Sequence, residues 1–348
     1  MSEGDADRGL EINGRTLLTL AGFLLAALLA LYLLLPKLAG LQDTWNRIRD
    51  GSPWWMALAL AFTVGMFAGY IAMFRGVFKD ARIGWRESAQ ITLAGLAASR
   101  LFAAGGAGGL VLQAWALRQA GMRRREVSDR TISFLVLTYA PYAGAVIVCG
   151  FGLRLGLFAG SAPLSMTLVP AIVAVVAAAA VVAVVLVPTD LAGRAKGGPR
   201  SLWHRLATVP ATSSAGVRDA LRHLRSRDPA LLGALAYWAF QIGVLWAAFK
   251  AFGTPPPLAV LIQGFFVGML GNLLPIPGGV GGVEGGLIGA YAAFDVGAGL
   301  ALVAVLVFRA FTFWLPLIPG VVAFFRLRGT VDRWRRSRPE GATIQSKA

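Results

Sequence analysis

Residues that most soluble enzymes use for chemistry are scarce in this sequence. It contains one cysteine, Cys149, inside an apolar run, and two histidines, His204 and His223, in a polar stretch. A single cysteine excludes an intrachain disulfide and a cysteine-based metal site, and neither histidine has carboxylates at metal-ligand spacing. The Walker-type phosphate loop and the HExxH and GxSxG motifs are also missing from the sequence. We therefore expect no metal, no cofactor and no enzymatic activity of a soluble class.

Charge is scarce as well, and its two signs are unequal. Asp and Glu number 17 against 33 Lys and Arg, while hydrophobic residues make up 57% of the 348-residue chain. The mean hydropathy of +0.66 is too high for a water-soluble fold of this length. Lipid is therefore the expected solvent for most of the chain.

Long apolar runs predict an all-α polytopic membrane protein with about six full transmembrane helices. A helix that rises about 1.5 Å per residue needs roughly 20 apolar residues to cross about 30 Å of hydrocarbon. Six runs have that length: 16–35, 53–74, 132–153, 163–187, 231–249 and 298–325. The first run follows an acidic tail, residues 1–15, with no small-residue cleavage site close behind it, so we predict a retained span.

The excess of basic residues falls on one predicted side of the membrane. With residues 1–15 in the cytoplasm, most Lys and Arg residues lie there, including a basic loop at about 189–228 and a tail at 329–348. The opposite side receives only Lys37, Arg47, Arg49, Arg154 and Lys250. This positive-inside pattern explains the net charge of +16 without a nucleic-acid partner. We expect a bacterial-type cytoplasmic membrane protein with both termini in the cytoplasm and a disordered C-terminal tail.

Two further apolar segments, about 88–117 and 257–294, carry glycines at their middle. The charge asymmetry holds only if each returns to the side it came from, which predicts two re-entrant hairpins of opposite orientation. Their middles also align, SRLFAAGGAGGLVLQAW from Ser99 with NLLPIPGGVGGVEGGLI from Asn272. The aligned glycines are Gly105, Gly106, Gly108 and Gly109 with Gly278, Gly279, Gly281 and Gly282. An inverted repeat of this kind has its substrate site where the broken helices meet, near the membrane midplane.

Glycine and proline have separate predicted roles in these hairpins. Glycine permits the tight turn and close helix approach that a buried turn needs, and Pro275 and Pro277 end the incoming half-helix because they lack an N–H. A half-helix that begins after Gly282 would direct N–H groups at the protein centre, where an anionic head group suits them. A simpler interpretation, that the glycines form only a close-packing seam, stays open but does not explain Glu284.

Three ionisable residues fall within the predicted membrane segments. Glu284 follows the second glycine turn, Arg309 lies near the middle of the last run, and Arg100 precedes the first turn. Each costs roughly 3 kcal/mol on insertion unless it is paired or hydrated, so we predict an ion pair between Glu284 and Arg309. The pair either only holds the second hairpin against the last helix, or its residues bind substrate. In the second interpretation the two arginines attract a lipid phosphate and Glu284 meets an amine or carries a proton. Asn272 and Gln113 complete the predicted substrate path.

The stretch LLPIPGGVGGVEGGLIGAYAAFDV, followed by the arginine of VFRAFTFWLPLIPG, resembles the lysylphosphatidylglycerol synthase transmembrane region family. That family includes the flippase domain of the multiple peptide resistance factor, and the resemblance covers a single transmembrane domain at 16–328. It implies a flippase or scramblase that moves an anionic, aminoacylated or polyprenyl-linked lipid between leaflets, with membrane lipids as partners. It also implies functional positions at Pro275, Pro277, Gly278, Gly279, Gly282, Glu284 and Arg309.

The first hairpin departs from the family pattern. Many members carry a polar or acidic residue and an arginine after these glycines, whereas here the next polar residues are Gln113 and Arg118. The sequence also does not contain the soluble aminoacyl-transferring domain of the resistance factor, so an aminoacylated substrate would require a separate enzyme. Two alternatives stay open: a non-transporting accessory subunit of a glycosyltransferase or lipid-modifying enzyme, and an intramembrane lipid transferase with Glu284 as general base.

Overall fold

The computed structural model describes residues 51–79, 83–101, 107–186, 217, 229–274 and 277–336. All of them belong to one compact unit, Asp50–Ala348. Every regular element in the described ranges is a helix, which confirms the predicted all-α class. The predicted span at 16–35, nearly all of the basic loop at 189–228 and the last twelve residues lie outside the described residues.

Ten α-helices form the described part of the chain. They are α1 (Pro53–Val77), α2 (Trp85–Leu101), α3 (Ala107–Gln119), α4 (Arg124–Arg154), α5 (Leu168–Leu186), α6 (Pro229–Phe252), α7 (Leu258–Gly268), α8 (Gly282–Ala293), α9 (Ala298–Arg309) and α10 (Leu317–Arg336). Two short 3₁₀ helices, Met269–Leu273 and Pro277–Gly279, lie between α7 and α8, and a π-helical turn, Ala310–Trp314, follows α9.

Four of the predicted runs coincide with stretches that are long and apolar enough to cross a membrane. In the described chain these stretches are Pro53–Val77, Arg124–Arg154, Ala230–Phe252 and Ala298–Arg336. The predicted run at 163–187 corresponds to the shorter apolar helix α5, and a second short apolar stretch covers α7 and the 3₁₀ helix after it. The described residues therefore form a polytopic helical membrane protein.

The last predicted run, 298–325, is not one regular helix. α9 ends at Arg309, the chain widens into the π-helical turn, and α10 then continues to Arg336. The first residues of the tail predicted to be disordered from 329 are therefore helical, which corrects that part of the prediction. The reason is that Thr330 and Val331 are buried, so packing against the rest of the protein stabilises this part of the helix.

Pro316 accounts for the break between α9 and α10. Proline has no N–H, so it cannot donate to the Thr312 carbonyl one turn earlier. The N–H of Leu315 instead donates to the Ala310 carbonyl, five residues back, at 2.9 Å. A π-helical turn of this kind exposes carbonyl groups to other partners and is often found at functional sites.

The helices define a basic end and an opposite end of the described unit. At the basic end, Arg130 donates to the Val77 carbonyl where α1 finishes, at 2.6 Å, and Arg335 Nε donates to Gln119 Oε1 where α3 finishes, at 3.3 Å. At the opposite end, the Ser52 N–H donates to the Ala251 carbonyl near the end of α6, at 3.2 Å. The distribution agrees with the positive-inside pattern, because most described arginines lie at or near the basic end.

Two antiparallel helix pairs enter this unit from opposite ends. The pair α2–α3 starts and finishes at the basic end, whereas α7–α8 starts and finishes at the opposite end. Both pairs pack backbone against backbone. A Cβ built on Gly109 would lie 2.4 Å from the Gly95 oxygen, and one on Gly271 would lie 2.0 Å from the Gly282 oxygen. The close-packing seam predicted from the glycines therefore exists in both pairs.

Contacts in the first pair and contacts in the second pair involve residues that are separated by the same number of positions in the sequence. In the first pair, a Cβ on Gly95 would lie 2.9 Å from Gln113 Nε2, and in the second a Cβ on Gly286 would lie 2.3 Å from the Gly268 oxygen. The offset that aligns the predicted glycine quartets also aligns Gly95 with Gly268 and Gln113 with Gly286. The glycine alignment seen in the sequence thus corresponds to similar close contacts in the two helix pairs.

The predicted turn glycines divide into two groups. Gly108 and Gly109 lie in the first turn of α3 and not in the loop before it, which corrects their predicted role. Gly278, Gly279 and Gly281 have φ angles of 62°, 64° and 87°, so they do form the turn, in a region that residues with a side chain rarely adopt. Gly282 is the first residue of α8, and Pro277 begins the second 3₁₀ helix. Gly105, Gly106 and Pro275 lie outside the described residues.

Candidate functional site

The inner ends of the two helix pairs meet beside the π-helical turn. A Cβ built on Gly278 would lie 3.2 Å from the backbone oxygen of Arg100 and 2.5 Å from Cζ of Phe313. A partly open cavity of about 160 Å³ lies at this junction. Its polar lining includes Arg100, Tyr237, Gln241, Asn272, Arg309 and Thr312. The cavity therefore lies where an inverted repeat is expected to have its substrate site.

Glu284 and Arg309 form the ion pair that the sequence predicts. Arg309 Nε donates to Glu284 Oε1 at 2.7 Å, and the two side chains are 7% and 1% exposed. An unpaired charge at this depth would be strongly unfavourable, so the pairing accounts for the burial of both groups. Arg309 Nη2 also donates to the Gly278 carbonyl at 3.1 Å. Together these bonds join the end of α9 to the turn before α8.

The second carboxylate oxygen of Glu284 caps helix α8. The N–H of Gly281, the N-cap residue, donates to Glu284 Oε2 at 2.7 Å. Glu284 is the third residue of α8, a position from which an acidic side chain reaches back to the N-cap and also faces the positive end of the helix dipole. The N-terminus of α8 is therefore served by the chain's own carboxylate. The Gly281 N–H is thus already bonded, and an anionic head group at this helix end stays a prediction.

Arg100, at the end of α2, binds the π-helical turn. Its Nη2 donates to the Thr312 carbonyl at 2.7 Å and its Nη1 to the Phe313 carbonyl at 2.9 Å. Thr312 is the residue whose helical donor is missing because of Pro316, so Arg100 satisfies that carbonyl. Within the described residues no carboxylate lies at ion-pair distance from Arg100. Its charge is stabilised there by carbonyl dipoles.

The ring of Phe313 contacts both arginines. Its centroid lies 4.2 Å from Cζ of Arg309 and 5.1 Å from Cζ of Arg100. Both distances are within the range of a cation–π interaction, which is strongest where water is excluded. Phe313 itself is 3% exposed. The site thus combines two guanidinium groups, one shared aromatic ring and one buried carboxylate, with a net charge of one positive unit.

The structure brings together only some of the predicted path residues. Arg100, Arg309 and Asn272 line the cavity. Glu284 lies behind Arg309, where both of its oxygens are bonded. Gln113 lies inside the first helix pair, against Gly95 of α2. The arginines and the asparagine are therefore placed to contact a ligand, whereas Glu284 is placed to position Arg309.

Sequence reasoning missed four polar residues of the cavity: Ser99, Tyr237, Gln241 and Thr312. Tyr237 and Gln241 lie four residues apart in α6, and Thr312 lies three residues after Arg309. Residues at these spacings share one helix face. Polar groups within an apolar span rarely face lipid, so a polar pair at this spacing is a signal that could have located α6 at the site.

The chain matches the family model described as the lysylphosphatidylglycerol synthase TM region over residues 19–320. The protein belongs to this family. Two curated relatives from Methanothermobacter thermautotrophicus, each named UPF0104 membrane protein, are 38% identical over 90 residues and 33% identical over 87 residues. The matches cover 26% and 25% of this chain and 26% of each relative, so the chain spans about a quarter of their length. The lysylphosphatidylglycerol synthase TM region thus includes the cavity, both helix pairs and the ion pair.

Proposed function

We propose that this protein is a lipid translocase that binds the phosphate of an anionic lipid in the cavity and moves that lipid between leaflets. The observation that carries the proposal is the pair of arginines that line one interior cavity, with no carboxylate among its described lining residues. Membership of a family described by a lipid synthase supports a lipid as the substrate class. Arginine suits a phosphate because its planar guanidinium group donates two parallel hydrogen bonds.

The geometry of the two helix pairs supports this proposal. We take α2–α3 and α7–α8 as re-entrant hairpins and α1, α4, α5, α6 and α9–α10 as full spans. The basic end then faces the cytoplasm. Half-helices that enter from opposite sides and meet at a polar cavity are the arrangement that alternating-access transporters use.

The size of the cavity limits which part of the substrate enters it. At about 160 Å³, it is smaller than the roughly 300 Å³ of a typical small-molecule pocket. A phosphate group fits this space, whereas acyl or polyprenyl chains do not. Only the head group therefore crosses through the cavity, and the chains stay in the surrounding lipid.

The charge balance of the cavity favours transient binding. Glu284 offsets one of the two arginine charges, so a phosphate meets one net positive unit. Nη1 of Arg309 forms no hydrogen bond with the described residues and faces no competing carboxylate in the lining. Transport requires a site that binds strongly enough to admit the substrate and weakly enough to release it. A buried arginine pair that is half neutralised meets both conditions.

Translocation in proteoliposomes tests the proposal. We expect the full-length protein to move at least one lipid among head-group-labelled phosphatidylglycerol, its lysyl ester, phosphatidylethanolamine and a polyprenyl phosphate. Arg100→Gln should slow that movement roughly tenfold or more, because it removes a charged phosphate donor worth about 1.5–3 kcal/mol. Arg328→Gln, an exposed arginine of α10 outside the cavity, is the matched control and should leave the rate unchanged.

Two results would overturn the translocase proposal. If no lipid moves, the protein is better explained as an accessory subunit of a glycosyltransferase or lipid-modifying enzyme, and co-purification should identify that enzyme. If the lipid recovered is chemically changed, the protein is an intramembrane transferase. If lipid moves at equal rates in Arg100→Gln and Arg328→Gln, the transported lipid does not pass through the cavity.

The proposed topology predicts opposite labelling of two loop positions. In a Cys149→Ala background, Arg123→Cys should react with a membrane-impermeant thiol reagent from the cytoplasmic side, and Ala298→Cys from the other side. Both positions are exposed and follow the second helix of their pairs. Labelling of both from one side would contradict the opposite orientation of the hairpins.

A further inference from the structure

A groove of about 870 Å³ lies between α2 and α10, toward the basic end. Its lining shares no residue with that of the interior cavity. The two helices are antiparallel, because a Cβ on Gly320 would lie 2.8 Å from Cβ of Ala97, while Thr330 Oγ1 donates to Gln90 Oε1 at 2.9 Å nearer the basic end. The groove is therefore a separate feature of the surface.

Three arginines form the polar rim of this groove. Arg86 belongs to the first turn of α2, and Arg326 and Arg333 belong to α10. The acidic residue of the lining, Glu87, accepts the Gly84 N–H at 2.8 Å and so caps the start of α2. Three cations against one carboxylate leave the rim with a net positive charge.

The rim arginines are positioned for an external anion. Arg333 Nη2 donates to Thr330 Oγ1 at 3.0 Å, which holds the guanidinium group beside the groove. Arg86 and Arg326 are exposed, and within the described residues they make no hydrogen bond or ion pair. Their charges are thus available to a ligand without breaking an existing contact.

The wall below the rim is apolar and open. Leu93 of α2 faces Ile318 and Val322 of α10 across the groove. Ile318 is 69% exposed and Val322 is 47% exposed. A charged rim above an exposed aliphatic wall at the expected membrane surface matches the two halves of a phospholipid, and basic pockets between transmembrane helices bind anionic lipid head groups.

We propose that this groove binds an anionic phospholipid, with its phosphate on Arg86, Arg326 and Arg333 and an acyl chain against Ile318 and Val322. The aliphatic wall is the reason for choosing a lipid over a free phosphate. The groove lies between the two helices that also meet at the cavity, since Arg100 lies in the last turn of α2 and binds the π-helical turn that precedes α10. A lipid bound in the groove therefore stabilises the packing of α2 on α10, whether or not the protein transports lipid.

Lipid titration of the purified full-length protein in neutral detergent tests this site. Native mass spectrometry and thermal unfolding would be recorded with phosphatidylglycerol, with phosphatidylcholine of the same chains and with inorganic phosphate. Of these three ligands, we expect only phosphatidylglycerol to bind and to raise the Tm of the protein. Arg86→Gln with Arg326→Gln should weaken that binding roughly tenfold or more.

Two comparisons separate the groove from general surface charge and from a small-anion site. Arg328→Gln with Arg336→Gln removes the same charge from exposed positions of α10 outside the groove and should bind phosphatidylglycerol as the wild type does. Val322→Trp places a larger side chain in the groove and should weaken phosphatidylglycerol binding, although all arginines remain. The proposal is wrong if both arginine pairs behave alike, if Val322→Trp has no effect, or if inorganic phosphate raises the Tm as much as the lipid.

Discussion

Arg309→Ala is expected to lower the free energy of unfolding by about 3–5 kcal/mol. The substitution leaves Glu284, whose side chain is 1% exposed, with an uncompensated charge. It also removes the bond from Arg309 Nη2 to the Gly278 carbonyl and the contact with the Phe313 ring. Thermal unfolding of the full-length protein in one detergent would measure the loss, with Arg328→Ala as the control because that arginine is exposed.

A double variant separates the charge from the packing. Glu284→Gln combined with Arg309→Met should recover a large part of the lost stability, since no charge stays buried. The glutamine oxygen can still accept the Gly281 N–H and keep the cap on α8. If the double variant is no more stable than Arg309→Ala, an uncompensated charge on Glu284 is not the cause of the lost stability, and the ion pair is not what the two residues contribute.

Gly286→Ala should destabilise the protein by about 1–3 kcal/mol, whereas Gly285→Ala one residue earlier should be neutral or slightly stabilising. A Cβ on Gly286 would lie 2.3 Å from the Gly268 oxygen, which is backbone and cannot move aside as a side chain can. A Cβ on Gly285 would have nothing within 4 Å. The Tm of each variant in detergent, measured beside the wild type, tests the difference.

The comparison is sharp because both glycines lie in α8 and both changes raise helix propensity by the same amount. The two variants differ in whether the added Cβ meets the backbone of α7 and so forces α7 and α8 apart. Since that pair positions Gly278 and Glu284, Gly286→Ala should also slow lipid movement in proteoliposomes. Equal Tm values for Gly285→Ala and Gly286→Ala would show that the close approach of the two helices contributes little.

The sequence alone determined the helical class, the apolar stretches and the partner of Arg309. These follow from local or compositional rules, because lipid cannot hydrogen-bond a backbone or solvate a charge. A stretch that crosses the membrane must therefore be largely apolar, and a buried charge needs an opposite charge or polar groups beside it. The ion pair between Glu284 and Arg309 was predicted because each charge would be costly if it were inserted alone. The alignment of the glycine quartets was readable for the same reason, since a seam between backbones tolerates few other residues.

The tertiary structure decided which groups face the cavity. Arg100 and Thr312 lie 212 positions apart in the chain, and their contact depends on how α2 packs against α10. Pro316 marks a break in the sequence, but only the fold shows that Arg100 satisfies the carbonyl which the proline leaves without a donor. Glu284 could equally have faced a ligand, and the direction of its side chain was settled by the Gly281 N–H beside it. Composition and spacing decide which residues are buried in lipid, whereas the partners of a buried polar group are chosen by packing between helices distant in sequence.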